Sequence, residues 1–95
     1  MSEAFIIDAV RTPRGTGKVG KGALVNMHPQ HLAAVVLKAL QERNNINTKE
    51  VDDVIWGNVT QIGEQGGCLA RSAVLLSNYD ERVAGLSVNR FCASG

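Results

Sequence analysis

The chain has 95 residues, 44% of them hydrophobic and 20% charged, with a formal net charge of +1. That length holds one small domain at most, and the composition is that of an ordinary globular protein. Ten Lys+Arg against nine Asp+Glu exclude a nucleic-acid binder that works by bulk charge.

Ala4 to Val10 is short, apolar and partly β-branched, and reads as a buried strand ended by Thr12-Pro13. From Arg11 to Met27 the chain is glycine-rich and basic, a long loop suited to an interface or a site. A helix follows from Pro29, a good first-turn residue, with Leu32, Val35, Val36, Ala39 and Leu40 at helical spacing. The periodicity stops at Asn44-Asn45, and Thr48 to Val51 suits one short turn. Val54 to Gly57 reads as a second strand. Gly67 to Ser77 reads as a second helix, with Leu69, Ala73 and Leu76 on one face, broken by Asn78-Tyr79-Asp80. Val83 to Val88 is a third strand leading into Asn89-Arg90-Phe91-Cys92-Ala93-Ser94-Gly95. The order β-α-β-α-β predicts an α/β fold with a parallel sheet and helical crossovers. The only aromatics are Phe5, Trp56, Tyr79 and Phe91, too few rings to fill a generous core, so this stretch is expected to be marginal on its own.

No apolar run approaches the roughly 20 residues of a membrane span, and Met1-Ser2-Glu3 lacks the basic start of a secretory signal. Two cysteines, Cys68 and Cys92, are too few for a disulfide framework, so a reduced, cytoplasmic setting is expected.

Several motifs invite chemistry. Gly15-x-Gly17-x-x-Gly20 has the dinucleotide spacing, but that fingerprint works only when its last glycine opens a helix, and the next helix waits until Pro29. Gly15-x-x-x-x-Gly20-Lys21 resembles a phosphate loop, yet Gly22 stands where Ser or Thr should bind Mg²⁺. A flexible surface loop is the favoured reading of both. His28 and His31 lack further ligands at metal-binding spacing, which favours a capping or surface role. Cys68, near a helix start, is favoured as a packing residue, and Arg71 as a structural or interface ion-pair partner.

Cys92 follows a strand in a turn of small residues. A helix opening there would offer unpaired N–H groups and a positive dipole end, both of which stabilise a thiolate nucleophile and its oxyanion. A buried cysteine at an element boundary accounts for the same context equally well.

Val88-Asn89-Arg90-Phe91-Cys92-Ala93-Ser94-Gly95 resembles the nucleophile segment of the thiolases, with an Asn three residues before the Cys and a small-Ser-Gly run after it. Val10-Arg11-Thr12-Pro13 and Gly66 to Arg71 resemble two further elements of that family, in the same order. Cys68 departs from the pattern, standing where the family often has Asn. The resemblance implies a layered αβαβα fold, of which residues 1–95 are an incomplete N-terminal part ending at the nucleophile turn. It implies Cys92 as the residue acylated by a 3-ketoacyl-CoA, its backbone N–H in an oxyanion hole. Asn89 and Ser94 would shape the turn, and Arg11 and Arg71 would be structural or interface residues. CoA and acyl-CoA would be substrates rather than cofactors, and the parent enzyme a homodimer or homotetramer.

The long Gly/Lys loop points to the degradative 3-ketoacyl-CoA thiolases of fatty-acid β-oxidation over the acetoacetyl-CoA type. The family's activating His, oxyanion His and second Cys lie further along than residue 95, and His28 and His31 match neither histidine. By itself this stretch is expected to show no turnover. The rival readings are a non-catalytic segment that only associates with other subunits, and the related ketoacyl synthases.

Overall fold

The computed structural model describes residues 2–95. Two helices, α1 (Pro29–Asn44) and α2 (Leu69–Leu76), pack on a parallel pair of strands, β1 (Asp53–Gly57) and β2 (Ala84–Val88). Short 3₁₀ turns lie at Thr48–Glu50, Gly63–Gln65 and Phe91–Ala93. The α/β class and the parallel pairing are those the sequence predicts, and both helices and both strands fall within two residues of their expected ends.

Pro29 opens α1, and the Nδ1 of His28 accepts the Gln30 N–H at 3.1 Å as its cap. The helix closes at Asn45, in the left-handed region at φ 50°, a conformation Asn tolerates well. Its buried face is Ala33, Ala34 and Leu37, whereas Val35, expected to be inside, is half exposed. Apolar residues surround α1 from Leu32 to Leu40 except at Lys38, so the pattern leaves several faces open and packing chooses between them. The choice falls on small residues, and Ala33 sits in one cluster with Ala73 and Val74 of α2. Val54, Tyr79 and Val83 complete that core, and the Tyr79 hydroxyl donates to the Leu37 carbonyl at 2.6 Å. On α2 the buried set is Leu69, Ala70, Ala73 and Val74, and the expected Leu76 is partly exposed.

The strands pair in register, Val54 with Gly85, Ile55 with Leu86 and Trp56 with Ser87. Val54 joins the core and Trp56 packs against it, while Ile55 and Leu86 stand 65% and 49% exposed. The helical layer thus covers one sheet face. Gly85 lets α2 come close, because a Cβ there would lie 2.7 Å from the Arg71 backbone N.

The expected strand at Ala4–Val10 is not formed. Phe5, Ile6 and Ile7 are 75%, 95% and 77% exposed, and no backbone hydrogen bond joins this segment to a ladder among the described residues. It lines, with Leu37, Leu40, Asp53 and Val54, an open apolar groove of about 540 Å³ beside β1. What fixes it is polar: Asp8 accepts from Asn44 Nδ2 at 2.8 Å, pairs with Arg43 at 3.2 Å and turns back on the Ala9 N–H at 2.8 Å. A carboxylate engaged with its own backbone offers the chain an alternative to a ladder, and strand propensity without a paired edge does not make a strand.

Candidate active site

β2 delivers the chain into a tight turn. Asn89 follows the strand, and its Oδ1 accepts the Phe91 N–H at 2.8 Å. That bond holds Phe91 in the left-handed region at φ 51°, a conformation bulky side chains seldom adopt. The Ser94 hydroxyl accepts the Arg90 N–H and donates to the Phe91 carbonyl, each at 2.8 Å. Backbone bonds from Ala93 to Arg90 and from Ser94 to Phe91 close the 3₁₀ turn around Cys92. Asn89 and Ser94 therefore shape the turn.

Cys92 is exposed at the crest of this turn, as a free thiol. It stands at the carboxyl end of a parallel strand, where α/β sheets gather their ligands, and strained backbone of the Phe91 kind clusters at such sites. The expected helix opening is present here as one 3₁₀ turn, with Ser94 continuing in right-handed helical dihedrals at φ −67° and ψ −29°. Within residues 2–95 the thiol is open to solvent rather than buried at the element boundary.

Beneath the turn lies the end of β1. The Asn58 N–H donates to the Val88 carbonyl at 2.9 Å, and the buried Asn58 side chain donates to the Gln65 carbonyl at 2.9 Å, so this strand end is tied on two sides. Gly57 just before it faces the Ser94 carbonyl so closely that a Cβ would collide with it, and would crowd the Gly95 nitrogen. Sequence reasoning missed Gly57 as part of the site; a glycine closing a strand is the signal that could have flagged a close backbone approach.

The other singled-out residues lie elsewhere. Cys68 caps α2 in the left-handed region at φ 61°, half-buried, its thiol 3.6 Å from the Gly85 carbonyl and 3.8 Å from the Ser87 hydroxyl. The Arg71 backbone N–H, foremost, and the Ser87 hydroxyl favour its thiolate and lower its pKa, against desolvation. Cys68 stands outside the core cluster, so the expected packing role is replaced by these polar contacts at the helix start. Arg71 donates to the Val83 carbonyl at 2.8 Å, a structural role with a carbonyl rather than a carboxylate as partner. Arg11 reaches the neighbouring Thr12 carbonyl. His28 caps α1 and meets His31 edge-on, ring centroids 6.5 Å apart. Among the described residues no hydrogen bond joins the Cys92 thiol to a base, and no group of three or more His, Cys, Asp or Glu could hold a metal ion. The basic loop is irregular to Gly17 and a run of turns and bends from Lys18 to Met27, so neither phosphate motif has its helix.

The family described as "Thiolase, N-terminal domain" matches residues 4–95. This chain belongs to the thiolase family. A steroid 3-ketoacyl-CoA thiolase of Mycobacterium tuberculosis is 47% identical over 94 residues, which are 99% of this chain and 22% of that protein. A β-ketoadipyl-CoA thiolase of Pseudomonas putida is 45% identical over 96 residues, covering 100% of this chain and 23% of the relative. A 3-ketoacyl-CoA thiolase of Pseudoalteromonas atlantica is 41% identical over 95 residues, covering 99% and 24%. The chain thus spans about a quarter of the length of these thiolases. Its fold is also similar to the crystal structure of the Bacillus anthracis acetyl-CoA acetyltransferase, with a TM-score of 0.72 and 37% identity over 83% of this chain and 20% of that one.

Proposed function

We propose that this thiolase segment carries the acyl-accepting nucleophile of a 3-ketoacyl-CoA thiolase and that Cys92 is that nucleophile. What carries the reading is the exposed Cys92 thiol in a tight turn at the carboxyl end of β2, in a chain whose relatives are named 3-ketoacyl-CoA thiolases. The thiolate attacks the 3-keto carbon, the Cα–Cβ bond breaks, and its electron pair leaves on acetyl-CoA, which takes up a proton. A second CoA thiolate then attacks the Cys92 thioester and carries the acyl group away. The Cys92 backbone N–H, left free among the described residues when its neighbours in the turn bond to Asn89, Arg90, Phe91 and Ser94, would contribute to the oxyanion hole. The base that hastens thiolate formation and the acid that protonates the departing carbon are assigned to residues beyond this stretch, so residues 1–95 alone are expected to take one acyl group slowly and not to turn over.

On this reading CoA and acyl-CoA are substrates, no resident cofactor is needed, and the protein works in the cytoplasm as a homodimer or homotetramer in fatty-acid breakdown. No helix among the described residues is long and apolar enough to cross a membrane. The likeness to an acetyl-CoA acetyltransferase supports a second reading, in which only two-carbon acyl groups are handled.

Loading Cys92 from a panel of acyl-CoA thioesters, followed by mass mapping of the adduct, separates these. Transfer from medium-chain as well as acetyl thioesters supports the 3-ketoacyl-CoA reading, and transfer from acetyl-CoA alone supports the second. Transfer from neither contradicts both and leaves a segment that only associates with other subunits.

A further inference from the structure

The turn that holds Cys92 lies against bare backbone at the end of β1. A Cβ built on Gly57 meets the Ser94 carbonyl oxygen, its carbonyl carbon and, at 3.2 Å, the Gly95 nitrogen. None of these is the tip of a flexible side chain, so an added methyl cannot be absorbed by a rotamer change. Gly57 cannot retreat easily either. It pairs in register with Val88, the next residue donates to the Val88 carbonyl, and Asn58 is buried and bonded to the Gln65 carbonyl. The turn has to move instead, and Ser94 lies two residues from Cys92, inside the hydrogen-bonded loop that closes around it.

We infer that Gly57 is a positioning residue for Cys92: the bare end of β1 sets how deeply the nucleophile turn seats on the sheet, and so where the thiol stands. This rests on the reading of Cys92 as the acyl acceptor. An error of about 1 Å in the placement of a reacting group can cost on the order of 100-fold in rate. A methyl at Gly57 displaces the turn by a comparable distance.

Gly85 supplies the control, because a Cβ there crowds backbone too, 2.7 Å from the Arg71 nitrogen, but on the α2 side of the sheet. The test compares Gly57→Ala, Gly85→Ala and the unsubstituted chain at equal folded fraction. The readouts are acetyl transfer from acetyl-CoA to Cys92, alkylation of Cys92 by iodoacetamide, and the amide resonances of residues 91–95.

Gly57→Ala is expected to slow acetyl transfer by about 10- to 100-fold and alkylation, which needs only an open thiol, by less than about threefold. It is expected to shift the Cys92, Ser94 and Gly95 resonances, while Gly85→Ala leaves both the resonances and the transfer rate alone. Unmoved resonances in Gly57→Ala, or equal effects from both variants, overturn the inference. If the unsubstituted chain accepts no acetyl group, the functional reading fails by itself, and the resonances alone decide the position of the turn. If Gly57→Ala does not fold, a nuclear Overhauser contact between the Gly57 α-protons and the Gly95 amide in the unsubstituted chain supports the seating. Its absence overturns it.

Discussion

The Ser94 hydroxyl stands 2.8 Å from the Phe91 carbonyl, a bond that passes over Cys92 and locks the residues on either side of it. The same oxygen takes the Arg90 N–H, so one hydroxyl fixes both the entry and the exit of the turn. Both partners are solvent-exposed, and water can replace the hydroxyl at little cost to the fold. Ser94→Ala is therefore expected to change stability by less than about 1 kcal/mol. It is expected to slow acetyl transfer to Cys92 about tenfold through loss of placement. The rate of adduct growth by mass spectrometry checks this, and an unchanged rate contradicts it.

Tyr79 ties the second loop to α1 across 42 residues of sequence, through a bond to the Leu37 carbonyl. Removing the hydroxyl deletes one buried hydrogen bond, so Tyr79→Phe should cost about 1 kcal/mol and lower Tm by roughly 4–8 °C. Burial pushes the phenol above its ordinary 10.0, so the neutral form is favoured in the folded chain. The stability that burial of the neutral phenol supplies is complete below pH 10 and lost as pH rises toward the raised value. Thermal melts at neutral and alkaline pH should show that loss in the parent and its absence in Tyr79→Phe.

Cys68 opens α2 from the left-handed region at φ 61°, which costs most side chains about 1–2 kcal/mol and Asn less. Cys68→Asn is expected to stabilise the chain by about 0.5–1 kcal/mol, raising Tm by roughly 2–8 °C. A lowered Tm would mean that the thiol contacts to Gly85 and Ser87 outweigh the backbone strain.

Asp80 lies beside Arg82, whose guanidinium, foremost, and backbone N–H hold its carboxyl down from 3.8 to about 2. A depressed folded pKa means the stabilisation is present above 3.8 and lost as pH falls toward 2. Asn44 and the Ala9 N–H lower Asp8 in the same direction, so acid unfolding has more than one source. In Asp80→Asn the stability lost over this acid range should be smaller than in the parent. Superimposable acid titrations would contradict the assignment.

Helical spacing from Pro29 and the cap at His28 made α1 legible, and the break at Asn78-Tyr79-Asp80 ended α2 correctly. The burial of Ala33 and Ala34 in place of Val35 was not legible, because a helix whose middle, Leu32 to Leu40, is apolar except at Lys38 leaves its facing to the partner it meets. The strand pattern of Ala4–Val10 is real in sequence, but a strand exists only when a neighbouring edge takes its hydrogen bonds, and Asp8 draws this segment to α1 instead. At the site, the Asn89 spacing and the small residues after Cys92 pointed to the turn. Gly57 lies 35 residues earlier and its part depends on where β1 ends in space, which no local pattern carries.

The central claim, that Cys92 accepts the acyl group, is met most directly by the intact mass of the purified chain before and after incubation with acetyl-CoA, with the adduct mapped. The account predicts one acetyl group per chain, on Cys92, formed at least about tenfold faster than any adduct on Cys68 and without continued turnover. An unmodified mass, or acetyl groups shared equally between Cys68 and Cys92, would contradict it.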